Sequence, residues 1–172
     1  ATALCLKVGL RSCKALREAK HVNWYNKGLT AADLALLGTL GSVLPALEQL
    51  VLFEPAAGPD GVQRLAEKLG AGALPAVTVL NLNRTHLGDA GASALAAALG
   101  RGALPRLKRL NLNITAIGDA GLVALAPALR RLPALENLRL HDNPLGDEGL
   151  AALVAPPPPP PAGALPPPTG VL

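Results

Sequence analysis

The side chains that could do acid–base, nucleophilic or metal chemistry are few, and their spacing keeps them apart. Three histidines, His21, His86 and His141, and two cysteines, Cys5 and Cys13, are the obvious ligands or nucleophiles. His86 belongs to the turn after a predicted strand, whereas His21 and His141 take solvent-facing strand positions at opposite ends of the chain. The three cannot converge on one centre. The cysteine spacing is neither the C-x-x-C of a metal site nor a disulfide framework. Free thiols in a reducing compartment are the expectation, with a local disulfide as the alternative. No nucleophile, base and orienting acid recur at a recognisable spacing, and no glycine-rich phosphate loop is present. The chain is therefore read as a non-enzyme, with no metal and no cofactor, and what remains for it is non-covalent recognition.

Composition narrows the class. Half of the 172 residues are apolar, 16% are charged and 2% aromatic, so any core is built from Leu, Ala and Val. The longest uncharged stretch, Gly149 to Leu172, carries nine prolines and could not satisfy its backbone in lipid. No membrane segment is expected, and a cytoplasmic location follows from that and from the free thiols. Residues 1–27 hold six Lys or Arg against one acid. Lys7, Arg11, Lys14 and Arg17 recur at helical spacing beside Leu6, Leu10, Cys13 and Leu16, which describes a basic amphipathic helix. Leu6 falls 28 residues before Leu34, so the segment reads as the outer helix of a truncated repeat or an N-terminal cap; neither nucleic acid nor membrane is the expected partner. The sequence contains no Met, and it is read as a fragment or a processed chain.

What positions these residues is an internal repeat. Leu44-Pro45-Ala46-Leu47-Glu48-Gln49-Leu50-Val51-Leu52 recurs from Leu74, Leu104 and Leu132, at spacings of 30, 30 and 28 residues, and a diverged copy starts near Leu16. Five units follow, over residues 16–43, 44–73, 74–103, 104–131 and 132–155, preceded by 1–15 and followed by a proline-rich tail, 156–172. Period-two alternation, as in Leu80-Asn81-Leu82 and Leu110-Asn111-Leu112, predicts a short strand with leucines on one face. Pro75, Pro105 and Pro133 are expected to stop the preceding helix. The aspartate of Gly88-Asp89-Ala90-Gly91, and its counterparts Asp119 and Asp147, suits a helix start. Ala92, Leu95 and Leu99, like Leu122, Leu125 and Leu129, then recur at helical spacing. One such unit cannot bury both faces alone, so neighbours must stack into a parallel sheet backed by a row of helices.

Stacking turns the polar strand positions into columns. One column is Asn23, Val51, Asn81, Asn111 and Arg139; the next is Tyr25, Phe53, Asn83, Asn113 and His141, flanked by Asn26, Glu54, Arg84, Ile114 and Asp142. Tyr25 and Phe53 are expected to be adjacent and exposed, as interface anchors or under an earlier unit or loop. The asparagines either bond a partner or form a solvated face with cross-strand amide pairing. The candidate binding set is Tyr25, Phe53, Asn81, Asn83, Arg84, Arg109, Asn111, Asn113, Arg139 and His141. The tail, with Pro156 to Pro161 and Pro166 to Pro168, favours a polyproline helix, either as a ligand for a polyproline-reading domain or as a linker.

The pattern L-x-x-L-x-L-x-x-[NTC]-x-L-G-D-x-G followed by an Ala/Leu helix is met by Val77 to Gly91, Leu107 to Gly121 and Leu135 to Gly149. In these residues the chain resembles the leucine-rich repeats of the ribonuclease-inhibitor type. The resemblance implies an α/β solenoid, a curved right-handed βα horseshoe with its parallel sheet concave and its helices convex. It also implies binding of a protein through the concave face, and the chain is read as a noncatalytic, monomeric scaffold. Some members activate small GTPases; regulation of a GTPase, with Arg84 as the suggestive arginine, is the alternative function.

Overall fold

The computed structural model of the chain describes residues 2–155, and the proline-rich tail read from the sequence lies outside the described residues. Five strands, β1 (His21–Tyr25), β2 (Gln49–Phe53), β3 (Val79–Asn81), β4 (Arg109–Asn111) and β5 (Asn137–Arg139), form one sheet in sequence order, and every pairing is parallel. The register runs Val22, Leu50, Leu80, Leu110, Leu138 across the sheet, so the leucine face of each strand sits directly beside the next. Between strands the chain returns through α3 (Ala31–Leu40), α4 (Gly61–Lys68), α5 (Gly88–Gly100) and α6 (Asp119–Leu129), and α7 (Asp147–Val154) follows β5. Leu34, Leu37, Leu65, Leu95, Leu99, Leu122, Leu125 and Leu129 face inward from these helices onto Leu50, Leu52, Leu80, Leu82, Leu110 and Leu112, and all are buried. Trp24 is buried with them. Among the described residues no helix is long and apolar enough to cross a membrane.

A strand of three residues holds few ladder bonds of its own, and side chains reaching between units supply more. Asp89 lies in the first turn of α5, yet its Oδ1 accepts from the backbone N–H of Gly118 (2.7 Å) and Gly121 (3.0 Å), and so caps α6 of the following unit. Asp119 repeats the arrangement on Gly146 and Gly149 at the start of α7. The sequence pattern suggests a cap for each aspartate's own helix; the cap is instead passed forward by one unit. It also explains the glycines. A Cβ at Gly121 would lie 2.5 Å from Asp89 Oδ1, and one at Gly149 equally close to Asp119.

Other side chains reach backward. Asn143 Oδ1 accepts from Thr115 N (3.0 Å) and Ile117 N (3.1 Å), while its Nδ2 donates to Leu112 O and Leu140 O. Glu54, only 5% exposed, accepts from Lys27 N and Leu29 N, which closes the turn after β1. A buried carboxylate without such donors would be costly. At the helix C-termini Arg101 donates to Ala66 O and Leu69 O at the end of α4, and Arg130 to Ala152 O and Ala155 O at the end of α7.

The prolines do not end the helices. α5 ends at Gly100 and α6 at Leu129, several residues before Pro105 and Pro133, because short turns intervene. In the 30-residue units those turns contain Leu74 at φ 53 and Leu104 at φ 55, a left-handed conformation uncommon for leucine. In the 28-residue units the equivalents Leu44 and Leu132 lack it. The strand-to-helix turns carry left-handed residues as well: Asn26, Arg84, Ile114 and Asp142, at φ 52 to 61. Glu54, held ahead of Pro55 at φ −130, is the exception.

The N-terminal segment departs most from expectation. In place of one basic helix there are two short ones, α1 (Thr2–Lys7) and α2 (Cys13–Glu18), because Gly9 turns the chain at φ 77. Leu6, expected to match buried Leu34, is 67% exposed, while Leu4, Cys5 and Val8 face the core. Lys7 Nζ meets Asp33 Oδ2 at 2.6 Å, and Asp33 also forms a capping box with Thr30 at the start of α3. Burial opposes ionisation of Asp33, but the Lys7 and Thr30 bonds outweigh it and hold its carboxyl below the usual range. Its contribution is therefore present at neutral pH and lost on acidification.

Three stability outcomes follow from this packing. Leu110→Ala should lower unfolding free energy by about 2–5 kcal/mol in denaturant melts, as emptied leucine sites do; a loss below about 0.5 kcal/mol would contradict the register given for β4. Asp89→Ala should cost about 1 kcal/mol, the usual worth of a helix cap, and hydrogen exchange should quicken at α6 rather than at α5. Ile114 is β-branched, exposed and left-handed, so Ile114→Asn should stabilise by about 1 kcal/mol; a destabilised variant would show that its side-chain contacts outweigh the backbone strain.

Candidate functional site

The residues singled out from the sequence lie on the polar face of the sheet and in the turns that leave it, and the strand register aligns the first of their columns in full and the leading pair of the second. Asn23, Val51, Asn81, Asn111 and Arg139 are successive partners. Beside them Tyr25 pairs with Phe53, and the two rings stack with centroids 4.5 Å apart and planes inclined by 26°. Tyr25 is 57% exposed and Phe53 is half-buried against it. Period-two alternation drives this placement: Trp24 and Leu52 enter the core, so the flanking rings must leave it. Stacking shields part of each ring from water while leaving an apolar surface open.

In place of cross-strand amide pairing, the asparagines bond backbone N–H groups. Asn81 Oδ1 accepts from Asn83 N (3.0 Å), and Asn111 Oδ1 from Asn113 N (3.1 Å), each shaping the turn that leaves its strand. Asn113 Oδ1 in turn accepts from His141 N (3.1 Å). Asn113 is 4% exposed, and this corrects its place in the candidate set: its carbonyl is committed to the next unit and its side chain is covered. Asn81, Asn83 and Asn111 remain partly exposed, with their amide oxygen or backbone tied into turns rather than paired across strands.

Toward the C-terminal units the face becomes cationic. Arg84, Arg109 and Arg139 are exposed, and among the described residues none of them makes an ion pair. Arg109 sits beside Asn137, and Arg139 beside Asn111, which places the two guanidinium stems on neighbouring strands. His141 is exposed, its Nδ1 2.8 Å from Asp142 Oδ2. His21 and His86 are also exposed, on separate units, and no cluster of three or more metal-ligating side chains occurs among the described residues.

Sequence reasoning left Ile114 outside the candidate set. It is 39% exposed at the rim beside Asn113, and the left-handed backbone that presents it is not legible in an apolar side chain.

Depressions on this face are shallow. One of about 170 Å³ is bordered by Tyr25, Phe53, Asn83 and Arg84, and another of about 160 Å³ by Arg109, Asn111, Asn137 and Arg139. Both are smaller than the ~300 Å³ at which small-molecule sites begin, so the arrangement suits a broad contact better than an enclosed ligand. A larger open hollow of about 620 Å³ lies on the helix side, between Asp60, Arg64, Glu67 and Asp89. Several of its polar groups are already engaged: Arg64 pairs with Asp60, Gln63 donates to Glu67, and Asp89 caps α6.

Comparison with known proteins agrees with this architecture. Residues 74–96, 104–126 and 133–154 match the family described as Leucine Rich repeat. Among curated proteins no sequence matches significantly. Among solved structures the chain is similar to "Leiomodin-1 Actin-Binding Site 2 (ABS2)", at 20% identity and a TM-score of 0.53, over 64% of this chain; it spans only 61% of that one. With its third, fourth and fifth units matching the family and five parallel strands in register, the chain carries leucine-rich repeats and folds as an α/β leucine-rich-repeat solenoid.

Proposed function

We propose that the protein is a noncatalytic scaffold of the ribonuclease-inhibitor-like kind, which grips a protein partner on the polar face of its sheet. The observation that carries this reading is the Tyr25–Phe53 stack, an apolar surface held open at the side opposite the core. Exposed aromatics of this sort are enriched among interface hot spots. Arg84, Arg109 and Arg139 add unneutralised positive charge along the same face, which favours a partner that brings acidic groups to the C-terminal units and an apolar anchor to the N-terminal ones. The GTPase-regulator alternative rests on the resemblance to activator members of the family, with Arg84 as its one suggestive residue, and that residue's position is explained by turn geometry: its backbone is left-handed and its N–H donates to Asn113 O. The reading sets the chain in the cytoplasm, where the dithiol is the resting state of Cys5 and Cys13.

The test uses the wild-type chain immobilised beside its variants, with captured proteins then purified and titrated individually. Actin, which the structural neighbour is named for binding, enters as one candidate. Tyr25→Ala and Phe53→Ala should each weaken the partner about thirtyfold or more, the equivalent of about 2 kcal/mol. Arg109→Glu with Arg139→Glu should weaken it most at low ionic strength, whereas Ser93→Ala on α5 should leave it unchanged. If both aromatic variants bind as the wild type does while charge reversal at Arg11 and Lys14 abolishes binding, the contact lies on the N-terminal helices and the assignment is wrong.

A further inference from the structure

The N-terminal helices bring together the only two thiols of the chain. Cys5 lies on α1 with its side chain wholly inside the core, and Cys13, the first residue of α2, is half-buried. Their sulfurs are 3.3 Å apart. That proximity is built by the backbone: Gly9 turns at φ 77, Leu10 N donates to Cys5 O at 2.8 Å, and α2 then starts on its Ser12 cap.

We propose that Cys5 and Cys13 are a redox-modification site, converted from dithiol to intramolecular disulfide by a small-molecule disulfide of the oxidised-glutathione class. A covalent S–S bond is about 2.05 Å long, so the sulfurs need approach by little more than 1 Å, roughly a side-chain rotation. The chemistry divides between the two cysteines by exposure. Burial, together with the neighbouring Cys13, raises the Cys5 thiol above its ordinary value, which leaves the more accessible Cys13 as the first nucleophile.

Cys13 gives up its proton to solvent, and its thiolate attacks one sulfur of oxidised glutathione. That S–S bond breaks, a Cys13–glutathione bond forms, and one glutathione leaves as thiolate and is protonated. Cys5 then loses its proton and attacks Cys13 Sγ, so that the Cys5–Cys13 bond forms as the second glutathione departs. Two protein thiols are oxidised by two electrons in total, and one glutathione disulfide is reduced to two thiols. The product fastens α1 to α2, whose Leu4 and Leu16, with Val8 between them, belong to the same buried core as Val22 and Trp24. This site is independent of the partner-binding proposal, since neither cysteine lies on the polar face of the sheet.

The full chain, equilibrated in buffers of graded reduced and oxidised glutathione, quenched in acid and weighed intact after maleimide labelling, tests the proposal. The oxidised form should lose two hydrogens, carry no glutathione and take up no maleimide, and dithiothreitol should restore both thiols. The ratio of disulfide to dithiol should be at least about tenfold higher in the folded chain than in the same chain in urea, because folding raises the effective concentration of one thiol at the other. Oxidation should also raise the thermal midpoint and slow hydrogen exchange of α1. Cys13→Ser should abolish the two-hydrogen loss and leave buried Cys5 largely unlabelled until unfolding. A stable glutathione adduct on Cys13, two thiols that stay free at every ratio, or a folded-state ratio no higher than that in urea would each overturn the assignment.

Discussion

A unit contributing a three-residue strand and one helix cannot satisfy its own backbone, and the rest of this structure depends on how the neighbour completes it. Buried N–H groups left without acceptors are costly, comparable to losing the bond outright. Here they are met across the unit boundary: Asp89 and Asp119 serve the helix that follows, while Asn143 and Glu54 serve the turn that precedes. Leucine packing alone would tolerate small slips between units. A carboxylate that must reach two specific N–H groups would not, and Gly121 and Gly149 admit it only where they stand. In the C-terminal units these caps hold the register of the polar face, and between the first two units Glu54, bonded to Lys27 N and Leu29 N, does the same beside the paired Tyr25 and Phe53.

The same geometry governs charge. The helices that follow the strands run side by side in one direction, so their dipoles add unfavourably unless each end is compensated. Acids gather at the starts, with Asp33, Asp89, Asp119 and Asp147 in first turns, and guanidinium groups answer carbonyls at the ends, with Arg101 on α4 and Arg130 on α7. These arginines are consumed by the fold. Arg84, Arg109 and Arg139 have no such employment among the described residues, and this is what separates candidate contact residues from structural ones of identical chemistry.

Much of this was legible in the linear pattern. Alternation placed Leu80, Leu110 and Trp24 inside and Tyr25 outside, and the repeat spacing alone aligned the column from Asn23 to Arg139 that the strand register reproduces. What escaped was whatever depends on a neighbour's backbone. A cap by Asp89 on its own helix and one on the next are indistinguishable from sequence, since both place an acid beside a helix start. Asn113 reads as polar and outward, yet bonding His141 N buries it. The N-terminal helix failed for a local reason: side chains at helical spacing continue across Gly9, but the backbone there does not. Ile114 hid behind its own chemistry, because an apolar residue gives no sign that it occupies a turn better suited to asparagine.

The unequal lengths of the units have a historical consequence. Because the two additional residues of the longer units are absorbed in turns at the far end of the helices, around Leu74 and Leu104, they leave the strand alignment untouched. A lineage carrying such an array could duplicate, shorten or lose a module without scrambling the modules beside it. Each strand's outward letters could then mutate as an independent word while the inward leucines were inherited as grammar. The aromatic beginning and the arginine-bearing end are in this way joined into one surface by a shared frame.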